Sequence, residues 1–454
     1  MGRRLYPYIY LLLMLGLLWA AFALLKLAHT AELSLPISFE TPYEALRTVV
    51  ALITFGFFLV LMARHVLLML IAVADHADRY QQELHPERRA ASPTSSFRPL
   101  VSIIVPAYNE ERCIEASIRS LLQIDYPRFQ IIVVDDGSSD GTLAAASRMA
   151  GDYGKAQVAV FSKVNGGKAT ALNFGIQRAA GDLVTTIDSD SVIEPQSLAA
   201  VVPHFEDDDV GAVAGSVKVV NTGALWSRLQ GLEYLKGLNL VRRAQGFVRA
   251  VSIVPGPIGT FRKSALQAVG YYSTDTFAED CDLTLKLLLG GWRIHYEPGA
   301  VARTEAPEQL MTLTKQRYRW TRGVLQAIWK HSGRMVRPRG APATAVFMLW
   351  YMAFEALLWP IMTTVSIALV LLMGVDPAVR AAGVYFWLQL LLIDAAAGLY
   401  CIGVENGPLV DLLLVPVERL VFQTILELGK FMATVEQVMG VGMTWGKLER
   451  KGLK

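Results

Sequence analysis

Two aspartates, Asp188 and Asp190, stand one serine apart at the exit of an apolar run, in the stretch "TTIDSDSVIEP". In an extended segment residues i and i+2 point the same way, so both carboxylates can face one target. Hard carboxylate oxygens suit Mg²⁺ or Mn²⁺, and such an ion would neutralise a diphosphate. The same letters also fit a turn that merely ends a strand. A second pair, Asp135 and Asp136, follows another apolar run in "VVDDGSSDGT". There a carboxylate can accept a hydrogen bond from a nucleobase N–H while glycine and serine shape the loop. An Asp-Gly turn with Asp140 capping a helix is the plainer alternative.

Three further stretches carry chemistry-bearing side chains. "NGGKATALNFG" lacks the upstream glycine of a Walker phosphate loop, which excludes that assignment. Lys168 remains able to touch a phosphate as a point charge, or else it is a surface residue in the first turn of a helix. In "TFAEDCDLTLKLLLGG", Glu279, Asp280 and Asp282 crowd the start of an apolar-periodic helix. They are either helix-capping acids, or they include a general base whose pKa the neighbouring acids keep suited to accepting a proton. In "TKQRYRWTRG", helical spacing groups Gln316, Arg319 and Trp320 at i, i+3 and i+4. The indole offers a stacking platform and the guanidinium a phosphate clamp, unless this is an Arg/Trp helix anchored at a lipid interface.

The elements that must position these groups are short β-branched runs alternating with helical patterns. "VSIIV", "QIIVV", "QVAVF" and "LVTTI" are predicted strands. Segments 110–123, 141–149 and 168–179 are predicted helices. The alternation implies an α/β domain with a doubly wound, mostly parallel sheet, in which ligands sit at the carboxyl ends of strands. Both aspartate pairs fall there.

The bulk properties place this domain between membrane segments. Of 454 residues, 53% are hydrophobic, too apolar for an ordinary soluble enzyme. The runs Tyr8–Leu27, Val49–Ala74, Thr344–Gly374 and Ala382–Val404 are each long enough to cross a bilayer, which takes about 20 residues. The first has the basic start of a signal peptide but no clear cleavage site, so a retained anchor is expected. Basic "MGRR", "HPERRA", "RMVRPR" and the tail contrast with segment 30–45, which has three glutamates and no Lys or Arg, so the middle of the chain is expected in the cytoplasm. Segment 408–440 is apolar yet charged, and an amphipathic interface helix is expected there rather than another crossing.

The expected organisation is two membrane helices over 1–75, a linker over 76–98, a catalytic domain over 99–340, two membrane helices over 341–406, and an interface helix with a basic tail over 407–454. A net charge of +3, spread over segments flanking the membrane, suits contact with anionic lipid and carries no nucleic-acid footprint. Cys113, Cys281 and Cys401 are scattered and fit neither a disulfide framework nor a zinc site.

In order and spacing, "PAYNE", "DDGSSDGT", "DSD", "AED" and "QRYRW", flanked by apolar spans, resemble the processive membrane-bound inverting glycosyltransferases of family 2. That family includes cellulose, chitin, hyaluronan and poly-N-acetylglucosamine synthases. The resemblance implies a GT-A-type nucleotide-sugar domain inserted between transmembrane α-helices of a plasma (inner) membrane. It implies a UDP-sugar donor and a growing glycan acceptor, with Mg²⁺ or Mn²⁺ held by Asp188 and Asp190. Asn109, Glu110, Asp135, Asp136, Lys168 and Arg319 would then face the donor. Asp280, beside Glu279, would be the catalytic base, although Ala278 replaces the threonine of the family's Thr-Glu-Asp pattern. Gln316 and Trp320 would meet the acceptor, and Trp445 in "TWGKLERKG" resembles a gating residue of hyaluronan synthases, or is an interfacial anchor.

Size and span arrangement are most similar to poly-β-1,6-N-acetylglucosamine synthases, and a small membrane partner subunit is among the expected partners. Hyaluronan-, chitin- or β-glucan-type synthesis, transfer of one sugar to a polyprenyl phosphate, and an inactive glycan-binding scaffold are the competing expectations. Intact Asp188, Asp190, Asp280 and Arg319 argue against the last.

Overall fold

The computed structural model describes residues 12–17, 19, 38–84, 97–373, 377–405 and 407–442. Most of the first apolar run, much of the expected linker, and Trp445 lie outside the described residues. The strands are β1 (Val101–Ala107), β2 (Phe129–Asp135), β3 (Gly151–Asp152), β4 (Ala156–Ser162), β5 (Leu183–Thr186), β6 (Val192–Ile193), β7 (Val210–Val219), β8 (Gly259–Arg262) and β9 (Arg293–Thr304). They form one sheet in the order β3-β4-β2-β1-β5-β8-β7-β9-β6. Every residue of β1 is buried, as suits a Val/Ile-rich strand covered on both faces. Its alternation divides the core: Ile103 and Val105 pack with Ile114, Ile118 and Phe129, whereas Ile104 packs with Leu172 and Phe261 on the opposite face.

The sheet is mixed, which corrects the mostly parallel expectation. β4, β2, β1 and β5 run parallel to one another, as do β7 and β9. β8, however, enters between β5 and β7 and runs against both, and the edge strands β3 and β6 are also antiparallel to their partners. Strand and helix alternation in a sequence does not encode strand direction. The long helical excursion between β7 and β8 leaves and re-enters at the same end of the sheet, so β8 runs back against β7.

The helices that bear on the site are α1 (Pro42–Leu84), α2 (Ile114–Leu122), α3 (Lys168–Arg178), α4 (Glu279–Leu289), α5 (Leu310–His331), α6 (Pro377–Val404) and α7 (Gln423–Val438). Among the described residues three helical stretches are long and apolar enough to cross a membrane: Leu52–Gln81, Ala343–Ala368 and Gly383–Val404. The far end of α1 is tied directly to the sheet. Asp75 accepts from Arg79 at 2.9 Å and from Arg243 at 3.1 Å, while Arg79 also donates to Glu297 at 3.1 Å and to the Tyr296 carbonyl at 2.7 Å.

In the segment 408–440 the charges that mark it as amphipathic are partly turned inward. Glu418 and Glu427 are buried, and Glu418 takes the Lys236 ammonium at 2.6 Å. α7 packs along α5, with Arg322 donating to Gln437 at 2.8 Å and to the Val441 carbonyl at 2.6 Å.

Candidate active site

A cavity of about 630 Å³ opens where β1, β2 and β5 end. Its walls include Ala107 and Glu110 after β1, Asp136 after β2, and Asp188 and Asp190 after β5. Lys168 from α3, Glu279 from the start of α4 and Arg319 from α5 complete it. The parallel half of the sheet thus delivers both aspartate pairs to one edge, as the strand-end rule requires.

Asp135 and Asp136 play different parts. Asp135 is buried and turned into the protein, accepting from Ser138 N–H at 3.3 Å and Ser162 Oγ at 3.0 Å. Asp136 lines the cavity, but its carboxylate is held by Lys163 Nζ at 2.6 Å and by the N–H groups of Gly166 at 3.1 Å and Gly167 at 2.7 Å. Gly137 at φ +70° permits the turn, because a side chain there would also meet Asn165 N at 2.8 Å. Asn109, at φ 54°, faces this loop rather than the cavity: its side-chain oxygen accepts from Ser139 N–H at 2.8 Å and its own N–H donates to Ser138 Oγ at 2.9 Å. Lys163 was not singled out by sequence reasoning, and the only signal was a basic residue just ahead of the Gly-Gly pair.

The three acids of "AEDCD" separate as α4 begins. Glu279 reaches Lys168 Nζ at 3.2 Å, and the same ammonium stands 2.7 Å from Asp188. Burial alone would lower the lysine's pKa, but Asp188 and then Glu279 outweigh it and hold the group above its ordinary range. Asp280 accepts from Cys281 N–H at 2.8 Å. Burial, followed by the adjacent Glu279 charge, pushes its carboxyl up to about 6, with Lys168 opposing the shift. Asp282 is fully buried and pairs with His331 at 2.9 Å and Lys330 at 3.2 Å. There burial is outweighed by the His331 hydrogen bond and the Lys330 charge, and the carboxyl sits well below the usual range. Asp282 is therefore a structural anchor between α4 and α5.

Gly323 sets how closely those two helices meet. A Cβ at this position would stand 2.6 Å from Ala278 N and 2.7 Å from Ala278 Cβ. Gly323→Ala should therefore lower stability by roughly 1–3 kcal/mol by overpacking and shift the start of α4. Thermal unfolding alongside turnover checks this: an unchanged transition with wild-type turnover means that the contact yields at no cost.

On α5 the three residues grouped by spacing do not share a wall. Arg319 lines the cavity, and among the described residues it has no ion-pair partner. Trp320 leans on the first core cluster with the Arg317 guanidinium 4.3 Å from its ring centroid, and Arg317 is in turn fixed by Glu233 at 2.6 Å. Gln316 is buried with its side-chain oxygen unpartnered. Consecutive helical residues diverge by about 100°, so Arg319 and Trp320 cannot face the same point unless a ligand spans both.

Among the described residues no group of three or more His, Cys, Asp or Glu side chains forms a metal cage. Asp188 and Asp190 in one cavity fit instead an ion that draws its other oxygens from a diphosphate, the usual manner of Mg²⁺. The Arg319 guanidinium, which has no ion-pair partner among the described residues, fits the same anion.

Residues 98–323 match the glycosyltransferase-like family 2 model. Poly-β-1,6-N-acetyl-D-glucosamine synthase of Staphylococcus aureus is 31% identical over 262 residues, which cover 57% of this chain and 62% of that protein. The synthase of the same name from Staphylococcus epidermidis is 34% identical over 226 residues, 49% of this chain and 54% of that protein. The matched region thus spans little more than half the length of these relatives. Among solved structures, the mannosyltransferase PcManGT of Pyrobaculum calidifontis, in complex with GDP-Man and Mn²⁺, superposes with a TM-score of 0.59 at 24% identity, covering 83% of this chain and all of that one, which shows a shared fold. With its strand-end acids, helix-borne Asp280 and cationic Arg319, the chain carries over residues 98–323 a domain of the glycosyltransferase-like family 2.

Proposed function

We propose that the protein is an inverting, processive glycosyltransferase that polymerises a UDP-sugar, UDP-N-acetylglucosamine first among them, into a β-linked polysaccharide and helps export it. The carrying observation is that Asp188, Asp190, Glu279 and Arg319 converge on one cavity of about 630 Å³ beside Asp280. The names of the relatives favour N-acetylglucosamine. The three candidate membrane helices favour a membrane enzyme, and the basic segments beside the apolar runs favour a catalytic domain on the cytoplasmic side of the inner membrane.

Asp188 and Asp190 would hold Mg²⁺ or Mn²⁺, which supplies positive charge to the donor diphosphate. Asp136 and Glu110 border the nucleotide, and Arg319 binds the diphosphate. Asp280 takes the proton from the acceptor hydroxyl, whose oxygen then bonds to the anomeric carbon. The bond from that carbon to UDP breaks, and UDP leaves with the electron pair while Arg319 balances its charge. One displacement inverts the configuration, so an α-linked donor yields a β-linked product. Trp320 offers a stacking surface to the acceptor at the exit of the site.

Reconstitution of the full chain in lipid with Mg²⁺ or Mn²⁺ tests this, with UDP-N-acetylglucosamine, UDP-glucose and UDP-glucuronate supplied singly and paired. Polymer from UDP-N-acetylglucosamine alone is the expected result. UDP release with an organic-soluble product would replace polymerisation with transfer of one sugar to a lipid. Trp320→Ala should damage elongation more than donor hydrolysis, and equal loss of both in chain-length and UDP-release assays removes Trp320 from the acceptor side.

A further inference from the structure

We propose that Lys168 is a built-in cation that holds the place of the divalent metal in the donor pocket before ligands bind and releases Asp188 only when metal and diphosphate enter together. This rests on the metal–nucleotide reading of the cavity. The Lys168 ammonium lies 2.7 Å from Asp188 and 3.2 Å from Glu279, inside a wall that also carries Asp190. Without it, Asp188 and Glu279 would lose the cation that lies between them.

Helix stability does not account for this placement. Lys168 is the first residue of α3, where the helix dipole disfavours a cation. The opposing loop is shaped to admit the pair. A Cβ on Gly256 would stand 2.9 Å from Lys168 Nζ and 3.2 Å from Asp188 Oδ2, so the backbone there runs directly against the ion pair.

Charge balance then orders the binding events. A divalent ion arriving alone must displace the ammonium from Asp188, leaving it only Glu279 and bringing two cations close together in a confined pocket, which is unfavourable. A diphosphate arriving with the ion gives the freed ammonium a new anionic partner. Metal and nucleotide therefore bind cooperatively, and the coupling is reciprocal.

The test is Mn²⁺ binding to the full chain in lipid nanodiscs, read from the electron paramagnetic resonance signal of free Mn²⁺, with and without UDP. In the wild type, UDP should tighten Mn²⁺ binding by about tenfold or more, within the usual range of coupling between sites. Lys168→Gln should bind Mn²⁺ alone about tenfold more tightly than the wild type and gain less from UDP than the wild type does, keeping only the part of the coupling that comes from direct contact of the ion with the diphosphate. Gly256→Ala keeps the lysine but crowds its ammonium with a methyl group 2.9 Å away, and should shift Mn²⁺ affinity in the same direction. Equal or weaker binding of Mn²⁺ alone by Lys168→Gln with a wild-type thermal transition overturns the proposal. If that variant does not fold, unchanged Mn²⁺ affinity in Gly256→Ala overturns it instead. A wild type that binds no Mn²⁺ even with UDP overturns the metal–nucleotide reading itself, and the placeholder role with it.

Discussion

Asp280→Asn is expected to lower turnover by about 10² or more while leaving UDP binding nearly unchanged, the scale and pattern of losing a general base. Asparagine keeps the shape of the side chain at the start of α4 and can still accept the Cys281 N–H, so the helix start should persist. What disappears is the capacity to take the acceptor proton. The pH profile carries a separate signature. A base works deprotonated, and burial with the Glu279 charge pushes this carboxyl up to about 6. Wild-type kcat/KM should therefore be level above about pH 6 and fall about tenfold per pH unit below it. Glu279→Gln removes a charge that raises the Asp280 pKa, so the acid limb should move to lower pH. Wild-type turnover in Asp280→Asn, or an acid limb that survives in it, would show that another group takes the proton.

Arg319→Ala should reduce transfer and donor hydrolysis together, by about 10² to 10³, the usual cost of removing one preorganised group that stabilises developing charge. The size of the effect follows from its surroundings. Arg319 lines a cavity rich in acids, and among the described residues no acid is paired with it. Its charge is therefore available to a ligand, and it should act most where the departing diphosphate gains negative charge. Arg319→Lys should recover only part of the loss, because an ammonium supplies a point charge without the guanidinium's planar fork. Steady-state kinetics on UDP release separate the outcomes. A raised KM with unchanged kcat would mean that Arg319 binds donor and transition state equally, and wild-type values would remove it from the site.

The acids at the strand ends were readable in the sequence because the signals are local. A β-branched run, then an acid or two, then glycine or serine is a strand leading into a loop; Asp188 and Asp190 both line the cavity, although the chain turns between them, with Ser191 N–H donating to the Asp188 carbonyl at 3.0 Å, rather than running extended. The resemblance carried by the ordered motifs is matched by the family comparison over residues 98–323. What sequence alone determined was the inventory: which carboxylates, which lysine and which arginine the sheet edge has to work with, and which apolar stretches are long enough for a membrane.

Tertiary structure decided how that inventory is used, because neighbours in sequence meet different surroundings in space. Asp135 turns back onto Ser138 and Ser162 while Asp136 faces the cavity under the Gly166 and Gly167 amides. Asp282 leaves the acid cluster for His331, two residues from Asp280, since a helix carries i and i+2 to different faces. The same rotation parts Arg319 from Trp320. The direction of β8 depends on a long-range return of the chain that no local pattern encodes. The ammonium of Lys168 finds Asp188 and Glu279 only because α3 and α4 start, and β5 ends, at one edge of the sheet, so a charge balance among residues spread over more than a hundred positions of the chain is set by packing alone.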